Sequence, residues 1–76
     1  MPTLDQLRPG ERGILEALTG PPALLQRLYE LGVMEGELVD VLGVAPLGDP
    51  IEIRIGQTRL TLRRKEASVI AVRPLG

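Results

Sequence analysis

Residues 51–62, IEIRIGQTRLTL, constrain this chain more than any other stretch. Ile51, Ile53 and Ile55 alternate with Glu52 and Arg54, and alternation of period two puts the two sets on opposite faces of a strand. Gly56-Gln57 then fits a two-residue hairpin turn of type II′, which takes glycine first. Such a turn also sets register. It pairs Ile55 with Thr58, Ile53 with Leu60 and Ile51 with Leu62. It also sets Arg54 opposite Arg59, a like-charge pair costing roughly a few tenths of a kcal/mol unless something offsets it.

The rest of the chain reads as more short strands between breakers. Leu4 and Leu7 sit at helical spacing before Pro9-Gly10, so 4–7 reads as one helical turn. Glu11–Leu18 reads as a strand, with Ile14 and Leu18 on one side, Leu15 on the other, and a bulge near Gly13. Pro21-Pro22 starts a helix, because proline's missing N–H has no partner in a first turn anyway. Leu24, Leu28 and Leu31 make its apolar stripe, with Leu25 and Tyr29 at the edge. Glu37–Val44 is a strand with Val39 and Val41 inward, and 43–50, GVAPLGDP, is a long loop. Arg63–Ala67 reads as a tight helical turn. Val69–Arg73 is the last strand, with Ile70 and Val72 inward and Pro74 ending it.

ELGVMEG, 30–36, shows what its glycines are for. A helix commonly ends on a residue at positive φ, which glycine adopts most cheaply, and Val33 would then fold back near Leu28. A phosphate-cradling loop would put its glycines before a helix, where free N–H groups point at the ligand. These follow one.

With 76 residues the chain is read as one domain, 1–76. It contains no Cys, His, Phe or Trp and one Tyr, so disulfides and thiolate or imidazole ligands are excluded and the core must be aliphatic. Five short strands with one helix after the first point to a mostly β fold, an SH3-like barrel in which closure removes unpaired edges.

Ser68 and four Thr have no His to activate them, and Lys65 is a poor substitute, so no catalytic residue is expected. Glu30, Glu35 and Glu37 could collect a hard cation, but charges near turns are usually solvated; no metal or cofactor is expected. Arg54, Arg59, Arg63 and Arg64 form a basic face that could grip an anionic partner or nucleic acid. Against nucleic acid stand the net charge of −1 and the lack of aromatic stacking platforms. The apolar surplus points to protein–protein contact through Leu25, Tyr29, Leu42, Val44 and Leu47, unless the loop around Leu47 folds over the barrel mouth. An unclosed barrel edge or that loop could also pair two copies. No apolar run approaches the roughly 18 residues of a membrane helix, and no secretory leader is seen, so a cytoplasmic protein is expected.

LRPGERGIL (7–15), LLQRLYELGVMEGELVDVL (24–42) and APLGDPIEIRIGQTRLTLRRKEASVIAV (45–72) together resemble the FeoA family of small proteins of bacterial ferrous iron uptake. One departure is Gln26, where that family often carries a more basic run. The resemblance implies an SH3-like barrel and a role beside the FeoB membrane transporter, whose cytosolic part is a GTP-hydrolysing domain. It implies docking on that domain and modulation of transport rather than catalysis, with no small-molecule substrate and no insertion into the membrane. A similar domain ends metal-dependent transcriptional repressors, but no helix-turn-helix precedes this one, so the stand-alone form is expected.

Overall fold

A computed structural model describes residues 2–76. A 3₁₀ turn at Leu4–Gln6 leads into strand β1 (Arg12–Leu18) and helix α1 (Pro22–Glu30). Strands β2 (Leu38–Val44), β3 (Ile51–Ile55) and β4 (Thr58–Leu62) follow, then a short helix α2 (Arg64–Ala67) and strand β5 (Ile70–Leu75). The strands form one sheet in the order β4-β3-β2-β1-β5, with every neighbouring pair antiparallel.

The β3–β4 hairpin has the register its turn demands, including Arg54 opposite Arg59. Gly56 sits at φ +61 and no described non-glycine residue has positive φ, which makes the turn II′ rather than I′. Gly32, at φ +91, ends α1. Its amide donates to the Tyr29 carbonyl at 3.0 Å, and the Val33 amide donates to the Leu28 carbonyl at 2.9 Å. These are the two bonds of a Schellman cap, and the accompanying apolar contact joins Leu28 and Val33, both fully buried.

Three expectations are corrected by local irregularities. The bulge in β1 falls at Glu16, not near Gly13: Leu15 pairs with Val72 and Ala17 with Ala71. The extra residue lets Leu15 and Leu18, three apart, both face the core, so Leu15 is buried and Ile14 lies half-buried on the outer face. In α1 the inward stripe is the buried Leu28 with the partly buried Leu24 and Leu25, because the helix stops at Glu30 and leaves the capping residue Leu31 exposed. Finally, β5 runs through Pro74 to Leu75. Pro74 shares its phase with Val72, whose N–H points away from β1, so proline withdraws no hydrogen bond from the ladder.

The core is one aliphatic cluster that joins the inner faces of all five strands to Leu28 of α1 and Ala67 of α2. Leu4 and Leu7 enter it from the 3₁₀ turn. Strand pairing does not close the barrel: among the described residues no ladder joins β4 to β5. The N-terminal segment lies along β5 instead, where Thr3 bridges Ala71 and the Val72 amide donates to the Pro2 carbonyl at 2.9 Å.

Candidate docking surfaces

The residues expected to meet a partner fall into two groups. One lies around the C-terminal end of α1. There Leu25 is half-buried against the core and Tyr29 is 40% exposed. The Tyr29 hydroxyl donates to both carboxylate oxygens of Glu35, at 2.8 and 3.1 Å. That contact raises the phenol pKa above its ordinary value. The Glu35 carboxyl is lowered, first by its own backbone amide and then by the phenol. Leu31 and Met34 stand exposed beside them, and sequence reasoning missed both. Met34 carried no periodic signal, and Leu31 was assigned inward by the helical stripe.

The second group surrounds 44–50. Leu42 is the bulged residue of β2, since Val41 pairs with Ile53 and Gly43 with Glu52. Val44 is 40% exposed and Leu47 97% exposed, so Leu47 does not cover the barrel mouth. The loop behind it is braced. The Gly48 amide donates to the Ala45 carbonyl at 2.7 Å and the Ala45 amide to the Pro50 carbonyl at 3.0 Å. Arg64 supplies the rest of the frame. Its backbone amide donates to Asp49 Oδ1 at 2.9 Å, its Nε to the Gly48 carbonyl at 2.8 Å and its Nη1 to the Asp5 carbonyl at 2.7 Å. An open groove of about 390 Å³ lined by Gly43, Val44, Ala45, Pro50, Glu52 and Thr61 forms a second part of this surface. β2 begins beside the first group and ends at the second, and its seven residues rise by about 20 Å. The five residues therefore do not form one patch.

The basic face is more nearly neutral than its sequence. Arg12, Asp40, Arg54 and Arg59 make one cross-strand row over β1, β2, β3 and β4. Asp40 sits between two guanidinium groups, 2.7 Å from Arg12 Nε and 3.3 Å from Arg54 Nη2. It offsets the like-charge pair of Arg54 and Arg59, as does Glu52, 3.3 Å from Arg59. Arg63 has Asp49 at 4.0 Å, and Arg64 is spent on the loop frame rather than on the face. Glu30, Glu35 and Glu37 are all exposed, and among the described residues no three acidic side chains gather closely enough to hold a metal ion.

Taken together, these features define a small SH3-like β protein with an exposed leucine at the tip of a hydrogen-bonded loop. The FeoA domain model matches residues 3–74, and the chain belongs to the FeoA family. It is 32% identical, over 91% of its length, to a Porphyromonas gingivalis fusion of Fe(2+) transport protein A with the Fe(2+) transporter FeoB, of which it spans only 8%. Its fold matches the solution structure of FeoA from Chlorobium tepidum with a TM-score of 0.91 and 40% identity, covering 99% of this chain and 71% of that one. The FeoA of Stenotrophomonas maltophilia, solved with zinc and described as a prokaryotic SH3 domain protein, matches with a TM-score of 0.77 and 32% identity, covering 95% and 89%. The family is tied to ferrous iron transport, and among the described residues of this chain no helix is long and apolar enough to cross a membrane.

Proposed function

We propose that this chain is a non-enzymatic cytosolic accessory protein of ferrous iron uptake. It docks on the cytosolic GTP-hydrolysing part of a FeoB-type transporter and modulates it. The observation that carries this reading is the fusion of a related FeoA to FeoB in one polypeptide, which holds the two side by side. The braced loop with Leu47 at its tip supports it from this chain's side. A fully exposed leucine on a hydrogen-bonded loop can enter a partner's pocket with little loss of backbone freedom.

Calorimetric titration into the transporter's soluble GTPase domain, with GDP and with a GTP analogue, tests the reading. Saturable binding that changes little with salt is expected, and Leu47→Asp should weaken it at least tenfold while leaving the thermal melt in place. Unchanged affinity for that variant removes the loop from the interface. Nucleic-acid binding by the Arg54, Arg59 and Arg63 face gains no support from the geometry, because Arg54 and Arg59 have acidic neighbours within 3.3 Å.

A further inference from the structure

The sheet has two outer strands, and among the described residues only β5 has chain laid along it. In a two-residue hairpin the residues that flank the turn exchange hydrogen bonds, and so does every second pair beyond them. Thr58, Leu60 and Leu62 therefore bond to Ile55, Ile53 and Ile51. The N–H and C=O groups of Arg59 and Thr61 point the other way, away from the sheet. Among the described residues no backbone group of another segment meets them. The next outward amide, that of Arg63, is already taken by Glu66 at 2.8 Å. The open edge is thus two residues long in hydrogen-bonding terms, with Leu60 half-buried on its inner side.

The side chains along this edge select its occupant. Arg59, Thr61 and Arg63 share the outer face. Arg59 has one carboxylate contact at 3.3 Å, and Arg63 has one at 4.0 Å, beyond hydrogen-bonding distance. Both side chains are mostly exposed, at 65% and 67%, and both guanidinium groups keep unused donors. Arg12 and Arg73, by contrast, each hold a carboxylate through Nε at 3.0 Å or closer, and Arg64 is bound to two carbonyls. An arginine on an edge strand discourages pairing with a like strand. A second copy would bring its own Arg59 and Arg63 against these two. A strand with carboxylates opposite them would gain charge-assisted bonds on top of the backbone ladder.

We propose that the free edge of β4 accepts an acidic, extended segment of a partner protein as an added strand, bound by the backbone of Arg59 and Thr61 and read by the guanidinium groups of Arg59 and Arg63. The inference stands apart from the transporter reading, because it concerns the backbone edge of β4 rather than the Leu47 tip, although Thr61 also lines the groove beside that loop, and its test uses no transporter.

The test is a titration of the isotope-labelled full chain, followed by amide shifts and amide hydrogen exchange. The probe is a seven-residue peptide alternating Glu with Val. Its two controls have every Glu replaced by Lys, or have alternate backbone amides methylated so that one edge cannot donate. The acidic peptide is expected to shift the Arg59 and Thr61 amides and slow their exchange. The lysine peptide should bind at least about tenfold more weakly and the methylated one not at all. The R59E/R63E double variant, whose substitutions fall on exposed side chains, should lose the acidic peptide and take the lysine peptide instead. Equal binding of the acidic and lysine peptides, or of the methylated peptide, overturns the proposal, as does a response centred on another element. So does no binding at millimolar peptide. Protection of the Arg59 and Thr61 amides that grows with protein concentration in the absence of peptide would assign the edge to a second copy and overturn it equally.

Discussion

The two edges of this sheet are guarded by different means. Along β5 the chain uses its own N-terminal segment: Pro2 accepts a hydrogen bond, Thr3 makes a bridge, and Leu4 and Leu7 anchor the segment in the core. Along β4 it uses side-chain charge alone. The first device is built from buried apolar surface and costs stability when broken. The second lies in water and leaves the backbone available. The protein can therefore lose the second guard without unfolding, which is what an edge that receives a partner requires.

The largest expected effect attacks the covered edge. Leu4→Ala should destabilise the chain by about 2–5 kcal/mol, since Leu4 is fully buried, and urea melts would show it. Leu60→Ala, at the bare edge, should cost about 1 kcal/mol or less, because that side chain is only partly buried. Similar losses for the two would break the comparison. Proline sharpens it next. Leu60→Pro removes a ladder bond to Ile53 and should cost about 3 kcal/mol. Thr61→Pro removes only an outward N–H and should cost under about 1 kcal/mol, again by urea melts. Arg64→Ala comes third. It removes the side-chain bonds to Gly48 and Asp5 and should cost about 1 kcal/mol after allowance for solvent exposure. Faster amide exchange at Gly48 is the more direct readout.

The smallest effect lies away from both edges and serves as a control. Absorbance titration of the one tyrosine should give a midpoint above 10.0, because Glu35 holds the phenol proton. Its stabilising contribution is present below pH 10.0 and is lost as pH rises through the raised folded value. The Glu35 carboxyl works in the other direction. Its folded pKa lies below 4.5, so its contribution is present above that pH and is lost as pH falls through the lowered value. In thermal melts across pH, Tyr29→Phe should remove the alkaline slope, reduce the acid slope only in part because the backbone amide of Glu35 still holds its carboxylate, and leave the edge variants' relative order unchanged.

How legible each part was in the sequence follows from how local its cause is. The hairpin register was readable because a two-residue turn and strict alternation leave one solution. The cap at Gly32 was readable because the helix stop, the glycine and Val33 are adjacent. The bulge at Glu16 was not, because it is set by the pairing of β1 with β5, more than fifty positions away. That bulge alone turned Leu15 inward and Ile14 outward. Arg64 was read as surface charge for the same reason. Its partners Asp5 and Gly48 are distant in sequence, and the acceptors are backbone carbonyls, which no residue type reveals. The sequence offers Leu47 either as an exposed contact or as a cover for the barrel mouth, and the choice stays open there because the Arg64 bonds behind the loop are invisible to it. The part Asp40 plays in balancing the basic face was not readable, because Asp40 comes from a different strand.

The Arg64 brace has a consequence in time as well as in space. One guanidinium ties residue 5 to residue 64 and holds the loop at 48, so the full set of bonds behind the leucine tip is complete only after two segments far apart in the chain have met. Closing so long a span is an entropic cost met late, once most native contacts exist to repay it. A nascent or partly folded chain would carry Leu47 on a slack loop, whereas the completed fold braces the backbone beside it. Any partner that needs the leucine rigidly posed would in effect inspect the chain for completion before engaging it.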